Sequence, residues 1–349
     1  MSGERAGEGM SSTSPEPQGA RTGVIGVIGA GAWGTALAIS ATRAGHEVVL
    51  WAREPQVAQA MAQQRENTRY LPGIPLPDGI FPTNDLADMR DIATVLLVTP
   101  AQATRAVLKQ AGAHLQACAA LILCAKGIEQ QTGMFLTQVV ADVAPALNSF
   151  VLSGPSFAAE VARGLPAAVT LAGRDIAAAR ALARQLSHKS FRIYSSDDPL
   201  GVQIGGAMKN VLAIACGIVE GKQLGESARA ALLTRAFAEL SRFGRALGAK
   251  VETLMGLSGL GDLMLTATST QSRNYSLGVA LGRGEPLEEI LGRRITVAEG
   301  VHTAQVAVQL AREHGIDMPV CAAVHAVVSG ASTPDAEIDR LLARPLKDE

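Results

Sequence analysis

Val24-Ile25-Gly26-Val27-Ile28-Gly29-Ala30-Gly31-Ala32-Trp33-Gly34 is the stretch whose reading decides the fold. An apolar run ends in Gly29-x-Gly31-x-x-Gly34, and an alanine-rich helical run, Thr35-Ala36-Leu37-Ala38-Ile39-Ser40, follows at once. Strand, tight glycine turn and helix in that order are what a dinucleotide site needs. Gly29 permits the turn, Gly31 lets the backbone approach a pyrophosphate, and Gly34 lets the helix pack onto the strand. The helix N-terminus then offers N–H groups and a positive dipole end to phosphates. A nicotinamide or flavin nucleotide is therefore the first cofactor to expect.

A membrane span competes with this reading. Residues 24–41 carry no formal charge, a length close to the ~20 residues that cross a bilayer. Gly26, Ala30 and Gly34 also form a small-xxx-small row. Against it, the glycines at 23, 26, 29, 31 and 34 are poor helix material. Outward from Gly34, the helix continues to Ala44 and stops at Gly45, as a glycine C-cap should. His46-Glu47-Val48-Val49-Leu50-Trp51 reads as the second strand, which completes a βαβ unit.

The chain has 349 residues, enough for two domains. Its net charge is −1 with no basic face, so a nucleic-acid partner is not expected. Cys118, Cys124, Cys216 and Cys321 lie in apolar surroundings without metal-type spacing, and the histidines are scattered. Buried free thiols in a reducing compartment, and no metal, are the expectation. Residues 1–20 are polar and rich in Gly, Ser, Pro and Glu, and read as a disordered tail. They hold no apolar segment of a secretory signal, and their acids argue against mitochondrial import. The cytoplasm is the expected location, with no membrane partner.

Further strand-like runs end at Thr99-Pro100, Ala125-Lys126-Gly127 and Ser153-Gly154-Pro155, and two shorter ones cover 168–171 and 191–194. Helical patterns, such as 102–113 and 132–144, separate most of them. Such alternation predicts a Rossmann-like, doubly wound, mostly parallel α/β sheet over 21–196. Its polar residues fall just past strand C-termini, the edge where ligands bind. From 197 to 349 the pattern is helical throughout: 200–219, 228–247, 251–254, 275–283, 287–291, 300–314, 320–328 and 335–343. An all-α C-terminal domain for substrate and catalysis is expected there.

Several residues can carry chemistry. The helix Gly205-Gly206-Ala207-Met208-Lys209-Asn210-Val211 is apolar except for Lys209 and Asn210. Gly205, Gly206 and Ala213 share the lysine's face and leave room for a ligand or another backbone. Desolvation there would pull the lysine pKa down, toward the range of proton transfer; a snorkelling lysine is the alternative. Asp262, in the apolar loop Gly256-Leu257-Ser258-Gly259-Leu260-Gly261-Asp262-Leu263, can hold an ammonium or merely close an Asx turn. Arg273, among the hydroxyls and amides of 266–275, suits a phosphate or carboxylate, or sits in a solvated loop. Lys126 and the Gly154-Pro155-Ser156 turn sit at strand ends facing the glycine turn. The second strand ends Trp51-Ala52-Arg53-Glu54. An acid there binds the ribose 2′-OH of NAD, whereas a cation accommodates a 2′-phosphate. Arg53 comes first, so NADPH should serve at least as well as NADH, although Glu54 can still reach a ribose.

Taken together, GAGAWGTALA (29–38), LPG (71–73), AKGIE (125–129), SGPSFAAE (153–160), GVQIGGAMKN (201–210), GLSGLGDL (256–263), QSRN (271–274) and AEG (298–300) resemble the bacterial-type NAD(P)-dependent glycerol-3-phosphate dehydrogenases. The resemblance implies interconversion of dihydroxyacetone phosphate and sn-glycerol 3-phosphate, which supplies phospholipid synthesis. It places Lys209 as the acid–base residue and Lys126 against substrate and cofactor. Gly154, Ser156, Asp262, Ser272, Arg273 and Asn274 would line the substrate, with Arg273 on its phosphate. Gly29, Gly31, Ala32, Trp33, Gly34, Arg53, Ala158, Val297 and Glu299 would touch the cofactor, as would Arg273. Ala32, Ser227 and Ala236 depart from the usual serine or threonine, asparagine and glycine, which bears on helix packing and pyrophosphate contact. A hydroxyacyl or 2-hydroxy-acid dehydrogenase and a non-catalytic NAD(P)(H) sensor are the rival readings. A homodimer through the helical half is compatible with all of them.

Overall fold

The computed structural model describes residues 21–293 and 298–345. The expected tail and Val297 lie outside them. Strands β1 (Arg21–Ile28), β2 (Glu47–Trp51), β3 (Ile80–Thr83), β4 (Ile92–Leu97), β5 (Ala120–Leu123), β6 (Ser149–Ser153), β7 (Ala167–Ala172) and β8 (Phe191–Ser196) form one sheet. Its order is β3-β2-β1-β4-β5-β6-β7-β8. Neighbours run parallel except β6 and β7. Helices α1 (Ala32–Arg43), α2 (Pro55–Gln64), α3 (Thr104–Ala111), α4 (Leu136–Val143), α5 (Ala158–Arg163) and α6 (Ile176–Leu186) connect the strands. Two apolar layers, one built around Ile25, Leu50 and Ile122 and the other around Ile28, Val95 and Leu121, cover the two faces. The charge-free stretch 24–41 is thus strand, turn and helix.

Two local expectations need correction. β3 escapes a reading of alternation because Ile80-Phe81-Pro82-Thr83 contains proline. Proline is tolerated there because β3 is the sheet edge. The helix expected over 132–144 begins only at Leu136. Gly133 adopts φ +71°, and Ile128 bridges to Phe135, which makes 128–135 a folded loop instead.

After β8 the described chain is helical: α7 (Pro199–Gly221), α8 (Glu226–Ala246), α9 (Val251–Met255), α10 (Asp262–Ala267), α11 (Arg273–Gly282), α12 (Leu287–Gly292), α13 (Glu299–Glu313), α14 (Pro319–Val328) and α15 (Pro334–Leu342). Asp198 starts α7 by accepting the Gly201 N–H at 2.8 Å, and its other oxygen takes the Lys250 N–H at 2.9 Å. Among the described residues, α7 is the one helix long and apolar enough to cross a membrane, yet its apolar stretch is wholly buried within the protein. It packs against β6 and β7 on one side and against α8, α10, α11, α13 and α14 on the others. Glu239 of α8, which is fully buried, accepts the Val320 and Cys321 N–H groups that begin α14.

α7 and α11 meet backbone to backbone. A Cβ on Gly217 would lie 2.1 Å from the Tyr275 carbonyl, and one on Gly278 would lie 2.1 Å from the Ile214 carbonyl. Gly221 and Gly282 repeat the contact one turn along. No side-chain rotation can relieve such an overlap, because the obstructing atoms are main chain. Overpacking typically costs about 1–3 kcal/mol. Gly278→Ala should therefore lower stability by about 3 kcal/mol or more, read as an earlier denaturant midpoint. A midpoint equal to that of the parent chain would show that the two helices separate freely.

Candidate active site

The glycine turn joins β1 to α1 at the C-terminal edge of the sheet. Gly29 has φ +118°, and a Cβ there would meet the Val98 carbonyl at 2.8 Å. A Cβ on Gly34 would lie 1.8 Å from the Gly29 carbonyl, so α1 sits directly on the turn. At Gly31, by contrast, a Cβ would meet nothing within 4 Å. Gly31 is also the N-cap of α1, and no side chain caps it and no acid stands in the first turn. This is a cradle closed on the protein side and open on the other, which fits the pyrophosphate of a dinucleotide. Ala32 and Trp33 begin α1 half-buried, and the Trp33 indole Nε1 is buried without a partner. Arg53 projects just beyond β2 with its side chain 78 % exposed and pairs with Glu54 at 2.8 Å.

Across the same edge, Lys126 follows β5, and Gly154 and Ser156 follow β6. Gly154 adopts φ +153°, where a side chain would collide with Val169. The Ser156 hydroxyl donates to the Gly154 carbonyl at 3.1 Å. Ala158 starts α5 and packs half-buried on the sheet core. Lys126 Nζ donates to the Gly154 carbonyl at 2.9 Å and to Asp262 Oδ2 at 2.7 Å.

Lys209 lies on α7 and is buried. Its Nζ donates to Asp262 Oδ1 at 2.5 Å and to Thr266 Oγ1 at 2.8 Å. Asp262 is wholly buried and shared by the two lysines. Burial lowers the Lys209 pKa to about 7; Asp262 opposes the shift and the nearby Lys126 charge adds to it. One carboxylate cannot fully neutralise two ammonium groups. With Lys126 charged, releasing the Lys209 proton leaves a neutral pair behind, so the proton on Lys209 is the one held loosely.

The glycines beside Lys209 do not leave a void. A Cβ on Gly205 would strike the Ser258 carbonyl at 2.5 Å, and one on Gly206 would meet Ser153 Oγ at 2.8 Å. Gly206 faces the Ser153 and Lys126 side chains, and Gly205 admits another backbone. That backbone is a π-helical turn, Leu257–Gly261, which runs straight into α10. The segment expected as a loop is thus a widened helical turn, a form often found at functional sites, and it sets Asp262 against Lys209.

Arg273 opens α11 and remains accessible to solvent. Protein crowds around it closely enough that burial lowers its pKa, while Glu299 pulls the other way. Glu299 accepts the Ala101 N–H at 3.1 Å through Oε1, and its Oε2 is buried without a hydrogen-bond partner. Burial raises the Glu299 pKa against the influence of Ala101 and Arg273. Ser272 and Asn274 do structural work here. Ser272 Oγ accepts the Tyr275 N–H as the N-cap of α11. The Asn274 amide donates to Asn210 Oδ1 at 2.9 Å, and its oxygen accepts the Gly300 N–H. Asn210 in turn donates to the Lys126 carbonyl at 3.0 Å. α7, α11 and α13 are thereby tied to the Lys126 loop.

The contact of Thr266 with Lys209 and this bridging role of Asn210 are not legible in the sequence. Thr266 lies four residues after Asp262, one helical turn on, a spacing that becomes informative only once 262–267 is read as a helix. Among the described residues no group of His, Cys, Asp or Glu is arranged to hold a metal ion. All four cysteines are buried free thiols.

Residues 24–179 match the family model for the N-terminus of NAD-dependent glycerol-3-phosphate dehydrogenase, and residues 198–339 match the model for its C-terminus. A glycerol-3-phosphate dehydrogenase of the NAD(P)+ kind from Parvibaculum lavamentivorans is 56 % identical over 325 residues, covering 93 % of this chain and 98 % of that protein. Its counterpart from Rhodospirillum rubrum is 56 % identical over 326 residues, 93 % of each chain. The crystal structure of a glycerol-3-phosphate dehydrogenase from Coxiella burnetii superposes with a TM-score of 0.88 at 38 % identity, over 92 % of this chain and 99 % of that one.

Replacing Asp262 by asparagine keeps the shape of the site but removes the charge that opposes the fall in the Lys209 pKa. Lys209 should then lose its proton at least one pH unit lower, about a tenfold change in protonated fraction at a given pH. The alkaline limb of the pH profile for NAD(P)H oxidation by the carbonyl substrate should move down accordingly. An unmoved limb would contradict the coupling.

Proposed function

The chain belongs to the family of NAD-dependent glycerol-3-phosphate dehydrogenases, and from that premise we propose that it interconverts dihydroxyacetone phosphate and sn-glycerol 3-phosphate with NADPH or NADH. The observation that carries this reading is the buried Lys209–Asp262–Lys126 arrangement beside the glycine turn. When bound, the nicotinamide supplies or takes the hydride, and the protein has to align it and manage one proton. Lys209 has its pKa near 7, so ammonium and amine are both populated at neutral pH. As ammonium it donates a proton to the carbonyl oxygen being reduced; as amine it accepts the alcohol proton in reverse. Lys126, which donates to Asp262 Oδ2, clamps substrate and cofactor oxygens. Gly154 and Ser156 line the substrate, and Arg273 presents a forked donor to its phosphate. Gly29, Gly31, Ala32, Trp33, Gly34, Ala158 and Glu299 hold the cofactor; Val297, the further residue assigned to it from the sequence, lies outside the described residues.

Arg53, accessible beyond β2, supports use of NADPH at least as well as NADH. The same reading makes the chain a cytoplasmic supplier of the glycerol phosphate that phospholipid synthesis consumes, and a homodimer through its helical half. A net charge near zero and the burial of α7 support its having neither nucleic-acid nor membrane partners.

The direct test follows the loss of NADPH absorbance on adding dihydroxyacetone phosphate, and a purified, folded sample without turnover would reject the assignment. Lys209→Met should cut kcat by at least about 100-fold while NADPH binding stays nearly intact. Lys126→Met should raise the KM for dihydroxyacetone phosphate as well as slow the reaction. A Lys209→Met enzyme that keeps most of its turnover would move the acid–base role elsewhere.

Arg273→Ala should weaken substrate binding far more than cofactor binding, with a KM for dihydroxyacetone phosphate raised by about tenfold or more, the scale of one lost charge-assisted pair. Steady-state kinetics with each substrate varied in turn will check it. A KM for dihydroxyacetone phosphate that does not change would remove Arg273 from the phosphate.

A further inference from the structure

Asn67 stands outside every segment treated so far, in the connection between α2 and β3, yet it is almost completely buried. Its Nδ2 donates to the Ala30 carbonyl at 2.8 Å and to Thr35 Oγ1 at 2.8 Å. Its Oδ1 accepts the Tyr70 N–H at 3.2 Å. Ala30 is the residue between the first two glycines of the turn, and Thr35 lies in the first turn of α1. One amide from a distant loop therefore grips the glycine turn on both sides of its apex.

The grip at Ala30 has a geometric consequence. In a trans peptide the C=O and N–H of one unit point in opposite directions. Holding the Ala30 carbonyl toward Asn67 turns the N–H of Gly31 the other way, away from Asn67. A Cβ at Gly31 would meet nothing within 4 Å, so there is open space at this residue for a ligand to approach its backbone. A glycine turn left to itself has no such preference, because glycine imposes little restriction on neighbouring peptide planes. Thr35 is 1 % exposed and supplies the second anchor, so the plane cannot swing without breaking a buried hydrogen bond.

We propose that Asn67 is a positioning residue for cofactor binding, which fixes the Ala30–Gly31 peptide plane so that the Gly31 N–H faces the dinucleotide pyrophosphate. The proposal rests on the reading of the chain as an NAD(P)-dependent dehydrogenase. Because the pyrophosphate is common to NADH and NADPH, Asn67 acts on both cofactors alike. It does not touch the 2′-phosphate, the substrate or Lys209.

The test compares Asn67→Asp, Asn67→Ala, Thr35→Val and Thr35→Ser with the parent enzyme, using NADPH and NADH separately and dihydroxyacetone phosphate as substrate. Asn67→Asp keeps the acceptor for Tyr70 and loses both donors. It and Asn67→Ala should raise the KM for NADPH and for NADH by the same factor, about tenfold or more for a lost buried hydrogen bond next to a charged ligand. kcat at saturating cofactor, and the KM for dihydroxyacetone phosphate, should stay within about twofold. Thr35→Val removes a single anchor and should give a smaller rise, which Thr35→Ser reverses; this pair serves if the Asn67 variants fail to fold. Unchanged cofactor KM values in folded Asn67 variants would overturn the proposal. So would a change in the NADPH-to-NADH ratio, which would locate the effect at the 2′-phosphate, or a fall in kcat alone. A parent enzyme that bound neither cofactor would instead reject the activity, so the two failures are distinguishable.

Discussion

The sharing of one buried carboxylate between two lysines is the constraint on which the site depends. Asp262 reaches Lys126 from the sheet edge and Lys209 from α7. A buried carboxylate with a single lysine would make a closed ion pair with no proton to spare. With two lysines the arrangement carries excess positive charge, and burial places the strain on Lys209. The same shift has a thermodynamic side. The unfolded lysine titrates near 10.5 and the folded one near 7, so below pH 7 the fold carries the whole burden of charging this group. That burden lifts as the pH rises from 7 toward 10.5.

The rest of the molecule can be understood as what brings those three side chains together. The parallel strands β1, β4 and β5 put the glycine turn and Lys126 on one edge of the sheet, and β6 brings Gly154 beside them. α7 then crosses that edge as a buried strut. It is glycine-faced toward the π turn so that Asp262 can approach, and glycine-faced toward α11 so that Asn274 and Arg273 can. The amide chain Asn274–Asn210–Lys126 holds these elements in register across the interior.

Much of this was legible in the sequence. The glycine turn announces itself because its requirements are local: a short strand, three fixed glycines and a helix. The strand-then-helix division of the chain follows from periodicity, and Lys209 stands out as a charge on an otherwise apolar helix. Other features were not legible, for physical reasons. β3 is hidden by Pro82, which only an edge position permits. The π turn before Asp262 reads as a loop because Gly256, Gly259 and Gly261 signal irregularity, whereas Gly259 is there for close packing; a Cβ on it would lie 1.9 Å from the Leu254 carbonyl. Gly205 and Gly206 left a ligand and another backbone as alternatives, and Gly205 turns out to face a backbone. Thr266 and Asn67 act through partners distant in sequence, 57 residues away for Thr266 and Lys209 and 37 for Asn67 and Ala30. No local pattern encodes such pairs.

The central claim is that Lys209 is the loosely protonated member of the triad, and the most direct measurement is its own titration. Nitrogen-15 labelling of lysine side chains, with the Lys209→Met protein to identify the resonance, would follow Nζ across the pH range by NMR. The account predicts a midpoint near 7 for Lys209 in the folded enzyme. A midpoint near the ordinary lysine value of about 10.4 would mean that Asp262 holds Lys209 permanently charged, and the acid–base role assigned to it would fall.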